Sequence, residues 1–94
     1  MPLSKEQILR QLENLINKVR LQALDSSEIE CRVYEPQVHG QPYIIEVAKG
    51  RFIRRVPVEY RTAQNLKTNM PDPGVTRELR TAFMAVRRLA ARQK

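Results

Sequence analysis

Apolar residues recur at helical spacing near both ends of this chain and alternate with polar residues in between. A helix places residues three and four apart on one face, whereas a strand turns successive side chains to opposite faces. A chain of 94 residues that changes period twice has few ways to bury its apolar side chains. The pattern predicts an N-terminal helix, a sheet of short strands and a C-terminal helix.

The first helix is predicted over about residues 4–24. Ser4 and Gln7 have the spacing of a capping box, in which each side chain accepts a hydrogen bond from a backbone N–H of the first turn. The apolar residues that follow fill one arc of about 120°: Ile8, Leu9, Leu12, Leu15, Ile16, Val19 and Ala23. Some lie at coiled-coil intervals, but two heptads are few, so we expect the arc to pack on the chain's own sheet.

Three strands are predicted over residues 29–34, 43–48 and 52–58, where apolar and polar residues alternate. Residues 36–41 form a predicted turn. Lys49 and Gly50 form a predicted tight turn, in which glycine supplies a positive φ. The short connections favour an antiparallel meander. Pro57 has no backbone N–H, which indicates an edge strand or the end of pairing.

The rest of the chain is predicted to be a short helical segment within residues 59–69, a loop over 69–74 and a final helix over about 75–92. The apolar arc of that last helix consists of Val75, Leu79, Ala82, Phe83, Val86, Leu89 and Ala90. Each long helix has one apolar stripe to bury, so we expect both on one face of the sheet. The predicted fold is a single α+β domain spanning residues 1–94.

Charge is distributed unevenly along the chain, whose net charge is +7. Residues 1–48 contain five basic and seven acidic residues, whereas residues 49–94 contain twelve basic and three acidic ones. A basic half of this kind attracts polyanions or acidic protein surfaces. A net charge of this size can also serve solubility alone, which leaves a second interpretation open.

The third strand and the last helix carry the candidate binding residues, most of them arginine. Guanidinium groups pair with phosphate oxygens in a forked geometry. If strand and helix present their cations on one side, the binding surface is continuous. The sequence therefore predicts a non-catalytic protein that binds a polyanion, RNA or DNA. The predicted nucleic-acid-binding residues are Lys49, Arg51, Arg54, Arg55, Arg77, Arg80, Arg87, Arg88 and Arg92.

Two other interpretations of the basic helix stay open. Leu21, Leu24, Ile44 and Met84 fall outside the predicted apolar faces, and such a patch could bind an acidic protein surface or form a homodimer. Alternatively, the cations only solvate the helix and interact with its dipole. We expect no membrane binding, because the apolar face lacks Trp, is rich in Ala and is needed for the core.

Catalytic, metal and cofactor sites are not predicted. Cys31 and His39 are the only residues of their types; if the first hairpin closes near Val38, Cys31 lies opposite Ile45 and His39 at the tip, too far apart for a nucleophilic pair. One Cys and one His are too few for usual zinc sites, and there is no glycine-rich phosphate loop. The lone thiol and the lack of a signal pattern predict a reducing compartment, taken as the cytoplasm.

The predicted order helix–strand–strand–strand–helix is similar to that of the double-stranded-RNA-binding domain. In that family, cations at the start of the last helix meet phosphates, and Arg77 and Arg80 stand at about that place here. The His39-Gly40 pair lies in the first hairpin, where the family also has loop contacts. The chain lacks the family's Lys-rich helix start and inserts residues 59–74 before the last helix. The resemblance is one of element order, and no family is assigned from it.

Overall fold

The computed structural model describes residues 3–22, 28–66 and 73–92. Its elements are α1 (Lys5–Gln22), β1 (Glu30–Tyr34), β2 (Tyr43–Lys49), β3 (Phe52–Val58), α2 (Tyr60–Gln64) and α3 (Pro73–Ala91). The predicted α+β class, element order and antiparallel meander are confirmed. The predicted last turn of α1, with Ala23 and Leu24, and most of the predicted loop before α3 lie outside the described residues.

The starts of α1 and α3 are explained by their local sequences. The Ser4 N–H donates to Gln7 Oε1 at 2.9 Å, and the Gln7 N–H donates to Ser4 Oγ at 3.3 Å, so the predicted capping box is formed. Helix α3 begins at Pro73, two residues earlier than predicted. Proline is tolerated there because the first turn of a helix uses no backbone N–H.

The first hairpin is centred on residue 39 rather than on Val38, and moving the centre by one position changes each strand pair by two residues. Val33 lies opposite Ile45 and Cys31 opposite Val47, so the predicted Cys31–Ile45 pairing was wrong by two residues. The loop is centred on His39, next to Gly40 with a φ of 90°. Because side chains alternate with a period of two, a two-residue shift leaves every side chain on the predicted face.

The second hairpin closes through two residues. Lys49 pairs with Phe52, so the turn consists of Gly50 and Arg51 rather than Lys49 and Gly50. Gly50 has the positive φ, 60°, that the prediction required. Strand β3 lies at one edge of the sheet and carries Pro57, in agreement with the expectation for a residue without a backbone N–H.

The two long helices cover one face of the sheet. Helix α3 packs across β3 and β2, and α1 lies against α3 and β1. The alternate strand residues turned toward the helices form one core with the helix stripes, together with Ala63 and Leu66 around α2. No helix in the described parts of the chain has the length and apolar character required to cross a bilayer. The largest fully buried side chains of the core are Ile8, Leu12, Val19, Ile45, Val47, Val58, Leu79, Phe83 and Val86.

The opposite face of the sheet is partly open to solvent, and its charges are matched. Arg32, Glu46 and Arg55 lie side by side across the three strands, and Glu30, two residues before Arg32 in β1, is on the same face, which gives two acidic and two basic residues. Glu46 Oε1 is 3.6 Å from Arg55 Nη2, and Glu46 Oε2 accepts a hydrogen bond of 2.7 Å from the Tyr34 hydroxyl. We call this surface, on which Ile53 is also exposed, the open sheet face.

Candidate functional site

A groove of about 320 Å³ runs between β3 and α3. Arg54 has the same parity as Val56 and Val58, so its side chain leaves the sheet on the side that α3 covers. Because α3 crosses β3, Arg54 meets residues of the first half of the helix. We call this the β3–α3 groove. Its lining consists of Arg54, Arg55, Val56, Arg77, Glu78, Thr81, Ala82 and Ala85.

The helix wall of the groove carries donors of two kinds. Arg77 and Thr81 are one turn apart on α3, and residues four apart share a helix face. Both side chains are exposed, and Thr81 Oγ1 donates to the Arg77 carbonyl at 3.0 Å. Both residues also border a shallow depression beside Thr76 and Arg80. The first half of α3 therefore presents guanidinium and hydroxyl groups to the same solvent region.

Carboxylates neutralise some of the predicted binding residues. Lys49 Nζ lies 3.8 Å from Glu28 Oε2, and the Lys49 side chain is only 15% exposed. Arg55 is paired with Glu46 on the open sheet face. The charges of Lys49 and Arg55 are thus partly neutralised within the chain. An anionic ligand would have to compete with Glu28 and Glu46 for them.

Other predicted binding residues keep their charge. Within the described ranges, Arg54, Arg77, Arg88 and Arg92 form no ion pair with a carboxylate. The Arg54 guanidinium donates only a long, 3.4 Å hydrogen bond to the neighbouring Ile53 carbonyl. Arg54, Arg55 and Arg77 line the groove, and Glu78 is the one carboxylate in its described lining, so the groove carries a net positive charge.

Arg51 occupies the β2–β3 turn, where its guanidinium carbon lies 5.4 Å from the centre of the Phe52 ring. This is within the range of a cation–π contact. In the part of the chain that the structure describes, neither Arg51 nor Lys49 lines the β3–α3 groove. These two cations belong to the hairpin end of the sheet.

The opposite edge of α3 faces α1. There Arg80 donates a hydrogen bond to Gln22 Oε1 of α1, and Arg87 borders an apolar cavity between the two helices. The cations of α3 therefore divide among three neighbourhoods, and Arg80 also borders the depression beside Arg77. Arg77 faces the β3–α3 groove, Arg80 and Arg87 lie toward α1, and Arg88 and Arg92 are exposed toward the C-terminal end.

Sequence reasoning missed two residues of the groove, Thr81 and Glu78. Thr81 could have been found from its spacing, because it follows Arg77 by four residues and must share its face. Glu78 is the one acidic residue in the sequence of α3, but its place on the groove wall depends on how α3 crosses β3. Helical spacing alone does not contain that crossing.

The thiol and the imidazole, the groups most often used in nucleophilic catalysis, lie apart from the groove. Cys31 Sγ accepts a long hydrogen bond, 3.6 Å, from Arg20 Nη2. Burial raises the pKa of the Cys31 thiol, and the Arg20 charge opposes that rise only in part. The His39 ring packs edge-on against Tyr60, with ring centres 4.9 Å apart.

Two further groups have shifted pKa values, both at the α2 end of the sheet. Lys5 Nζ lies 2.6 Å from Glu35 Oε2, and that hydrogen bond and charge raise the pKa of Lys5. Burial raises the pKa of Tyr43, assisted by Tyr60 and Glu35. Among residues 3–22, 28–66 and 73–92, no three His, Cys, Asp or Glu side chains are grouped closely enough to hold a metal ion.

Comparisons with protein-family models, curated proteins and solved structures found no match to this chain.

Proposed function

We propose that this chain is a non-catalytic protein that binds nucleic acid, RNA or DNA, through the β3–α3 groove and the exposed cations of α3. The proposal rests on one observation. Arg54 and Arg77, distant in sequence, line the same open groove, and neither forms an ion pair in the described residues.

The chemistry of the groove suits a phosphate backbone. Guanidinium groups and hydroxyls are the donors that proteins most often direct at phosphate oxygens. The Thr81 hydroxyl would join the guanidinium groups by exchanging its hydrogen bond to the Arg77 carbonyl for one to phosphate. Glu78 repels phosphate, so we expect the contacts to run along the Arg77 and Thr81 side of the groove. The net charge of +7 adds a long-range attraction that speeds encounter with any polyanion.

The non-catalytic part of the proposal is supported by the surroundings of Cys31 and His39. The raised pKa of Cys31 keeps the thiol protonated near neutral pH, and a protonated thiol is a poor nucleophile. His39 contacts Tyr60 in the first hairpin loop, beyond the paired end of β1 that carries Cys31. The single cysteine also fits a reducing compartment, the cytoplasm.

The test is a duplex and a single-stranded oligonucleotide titrated with the wild-type chain at two salt concentrations. Phosphate contacts predict an affinity that falls steeply as salt rises. The variant R54E/R77E reverses both unpaired cations of the groove, and we expect it to lose about 100-fold in affinity at low salt. Both side chains are exposed, so the fold should persist, as checked by circular dichroism.

The matched control is R10E/K18E, which makes the same charge change at two exposed positions of α1. It should retain most of the wild-type affinity. Equal losses in both variants would show that only net charge matters and would remove the groove from the proposal. No binding of either oligonucleotide at low salt would remove the nucleic-acid function itself.

A second candidate function is self-association through the open sheet face. Tyr34 and Ile53 are 46% and 43% exposed there, and the charges between them are balanced, so two copies would meet without repulsion. This candidate predicts a native mass of two chains that Ile44→Lys, in the middle strand, reduces to one. A wild-type mass of one chain at high protein concentration would dismiss it.

A further inference from the structure

A cavity of about 250 Å³ opens between the C-terminal half of α1, the residue before β1 and the middle of α3. Among the described residues, most of its lining is apolar and comes from Val19, Ile29, Phe83 and Met84. The first three are core residues that form the floor, whereas Met84 is 47% exposed and stands at the mouth. We call this the α1–α3 cavity.

The rim of the α1–α3 cavity is cationic. Arg80 and Arg87 are seven residues apart, two turns of the helix, and both border the opening. Gln22 accepts a hydrogen bond from Arg80, which fixes one guanidinium at the edge of the cavity. An apolar hole flanked by two guanidinium groups selects a ligand that combines an apolar group with negative charge beside it.

The size of the cavity narrows the choice of ligand. It is smaller than the roughly 300–1,000 Å³ that pockets for drug-sized molecules have. A single aromatic or branched side chain is a better fit, because such side chains act as anchors in protein interfaces when they fill a pocket surrounded by polar contacts.

We propose that the α1–α3 cavity binds an acidic segment of another protein, in which one large apolar side chain enters the cavity and flanking carboxylates meet Arg80 and Arg87. This interaction is separate from nucleic-acid binding in the β3–α3 groove. It uses the opposite edge of α3 and does not depend on Arg54 or Arg77.

A second copy of this chain lacks the required chemistry in the residues that the structure describes. Its exposed apolar residues Leu21 and Ile53 adjoin Arg20 and Arg54 in sequence, and those charges would be repelled by the rim. Val38 lies near Glu35 in sequence and Tyr34 lies beside Glu46, but Glu35 is already paired with Lys5 at 2.6 Å, and Glu46 already contacts Arg55 and the Tyr34 hydroxyl. Met84 stands at the mouth of the cavity, between the rim arginines. The occupant is therefore a different chain with free carboxylates.

Nucleic acid is a poorer match for the same cavity. The aromatic ring in its lining, Phe83, is only 2% exposed, so it offers no platform on which a base could stack. Base stacking on exposed aromatic rings is a main source of affinity for unpaired nucleotides. Charge alone would attract a phosphate to the rim, but the apolar walls would remain unfilled.

The experiment uses the full chain, labelled with ¹³C at the methionine methyl groups, and the peptide acetyl-Asp-Glu-Phe-Glu-Asp-amide as a probe. The Met84 methyl signal, assigned by Met84→Leu, reports entry into the cavity mouth. We expect the probe to shift this signal in a saturable manner. The same peptide with central Gly, and a Lys-Lys-Phe-Lys-Lys peptide, should each bind at least fivefold more weakly.

Two variants test the walls and the rim separately. Met84→Lys places a polar group at the mouth of the cavity, and Arg87→Glu reverses a charge on its rim, so each should lower the affinity for the probe at least fivefold. Because Met84→Lys removes the methionine signal, its affinity is measured by fluorescence of a labelled peptide. Arg88→Glu is the matched control: it makes the same charge change one residue along α3, at an exposed position outside the cavity lining. It should leave the probe affinity within about twofold, as expected for a solvent-screened charge that does not border the cavity.

Three results would overturn the proposal. Equal losses in Arg87→Glu and Arg88→Glu would reduce it to net charge. A duplex oligonucleotide that displaces the probe and shifts the Met84 signal equally would assign the cavity to nucleic acid. Failure of the wild-type chain to bind the probe would also overturn the proposal. This holds even if Leu24→Asp restores binding, because that result would identify the chain's own Leu24 as the occupant of the cavity. None of these three results would affect the nucleic-acid proposal, which depends on the loss of duplex binding in R54E/R77E.

Discussion

The two long edges of α3 carry arginines from one continuous arc of the helix, yet they border different surfaces. Toward β3, Arg77 meets Arg54 and Thr81 in an open groove with unpaired positive charge. Toward α1, Arg80 is held by Gln22 at the rim of an apolar cavity above Phe83. The helix contributes similar side chains on both edges, so the difference comes from what each edge meets.

This contrast shows how a uniform basic helix acquires two kinds of surface. Where the neighbour is a strand edge with its own arginine, like charges gather and attract anions. Where the neighbour is another amphipathic helix, apolar residues at the seam lie beside the charges. Stability and binding measurements on matched variants can distinguish an electrostatic surface at the β3 edge from a packed one at the α1 edge.

The largest expected effect is on the packed edge. Phe83→Ala removes a fully buried ring from the core under the α1–α3 cavity. We expect the free energy of unfolding to fall by about 3–5 kcal/mol, because the surroundings collapse only partly around the lost volume. Denaturant titration measures this change.

The control on the groove edge is Thr81→Ala, an exposed position of the same helix, which should alter stability by no more than about 0.5 kcal/mol. A comparable loss in both variants would contradict the view that only the α1 edge carries packing energy.

The next effect separates the two edges by charge. If the proposed function holds, Arg77→Glu should lower affinity for a duplex oligonucleotide about tenfold at low salt, because it would remove the proposed phosphate contact and repel the backbone. Arg87→Glu changes net charge equally but lies on the α1 edge, so its loss should stay near threefold or less. Fluorescence anisotropy at matched ionic strength measures both affinities. A larger loss in Arg87→Glu than in Arg77→Glu would place the nucleic acid on the α1 edge and contradict the proposal.

The pH dependence of Cys31 chemistry tests how closed the α1 side of the molecule is. Burial raises the pKa of the thiol in the folded chain, so at pH 8 it should react with a disulfide reagent more slowly than the same thiol in denaturant. The folded rate should reach its plateau at a higher pH than the unfolded rate.

The sign of the stability change follows from the same shift. Below the ordinary pKa of cysteine both states carry the neutral thiol, and stability does not depend on it. Above that pKa the unfolded chain ionises first, so the folded state loses stability as pH rises. A folded thiol that reacts as fast as the unfolded one would show that Cys31 is open to water.

The smallest expected effect concerns the contact that fixes the α1 edge. Gln22→Ala removes the acceptor of the Arg80 hydrogen bond. Because this contact is exposed, the loss of stability should be about 0.5 kcal/mol. Asn17→Ala, at another exposed position of α1, serves as the comparison for helix propensity. Gln22→Ala should be the less stable of the two; the opposite order would remove the contact from the account of this edge.

Much of the fold could be predicted from local patterns. The capping box of Ser4 and Gln7, the alternation of β2 and the apolar stripe of α3 each depend on residues close in sequence. The errors lie where two segments meet. The first hairpin was misplaced by two residues at Cys31 because any even shift preserves the faces, and the long loop does not specify register as a two-residue turn does.

The candidate site shows the same limit. Arginine content and its position in β3 and α3 indicated the two elements that form the candidate groove, but the sequence could not tell which cations are neutralised. In the sequence, Arg55 and Lys49 are basic residues like Arg54 and Arg77. In the structure, however, Arg55 pairs with Glu46 and Lys49 pairs with Glu28. Which carboxylate reaches which cation depends on pairing register and on contacts across the fold.

Sequence alone determined the kinds of element in this protein, the faces they bury and the sign of charge on its C-terminal half. These follow from the periods of helix and strand and from the count of ionisable groups, which are local properties. Tertiary structure alone decided that Arg77 joins Arg54 in a groove while Arg80 turns to Gln22 at a cavity. Such meetings depend on how α3 crosses the sheet and α1, and that crossing is set by the packing of the whole core at once.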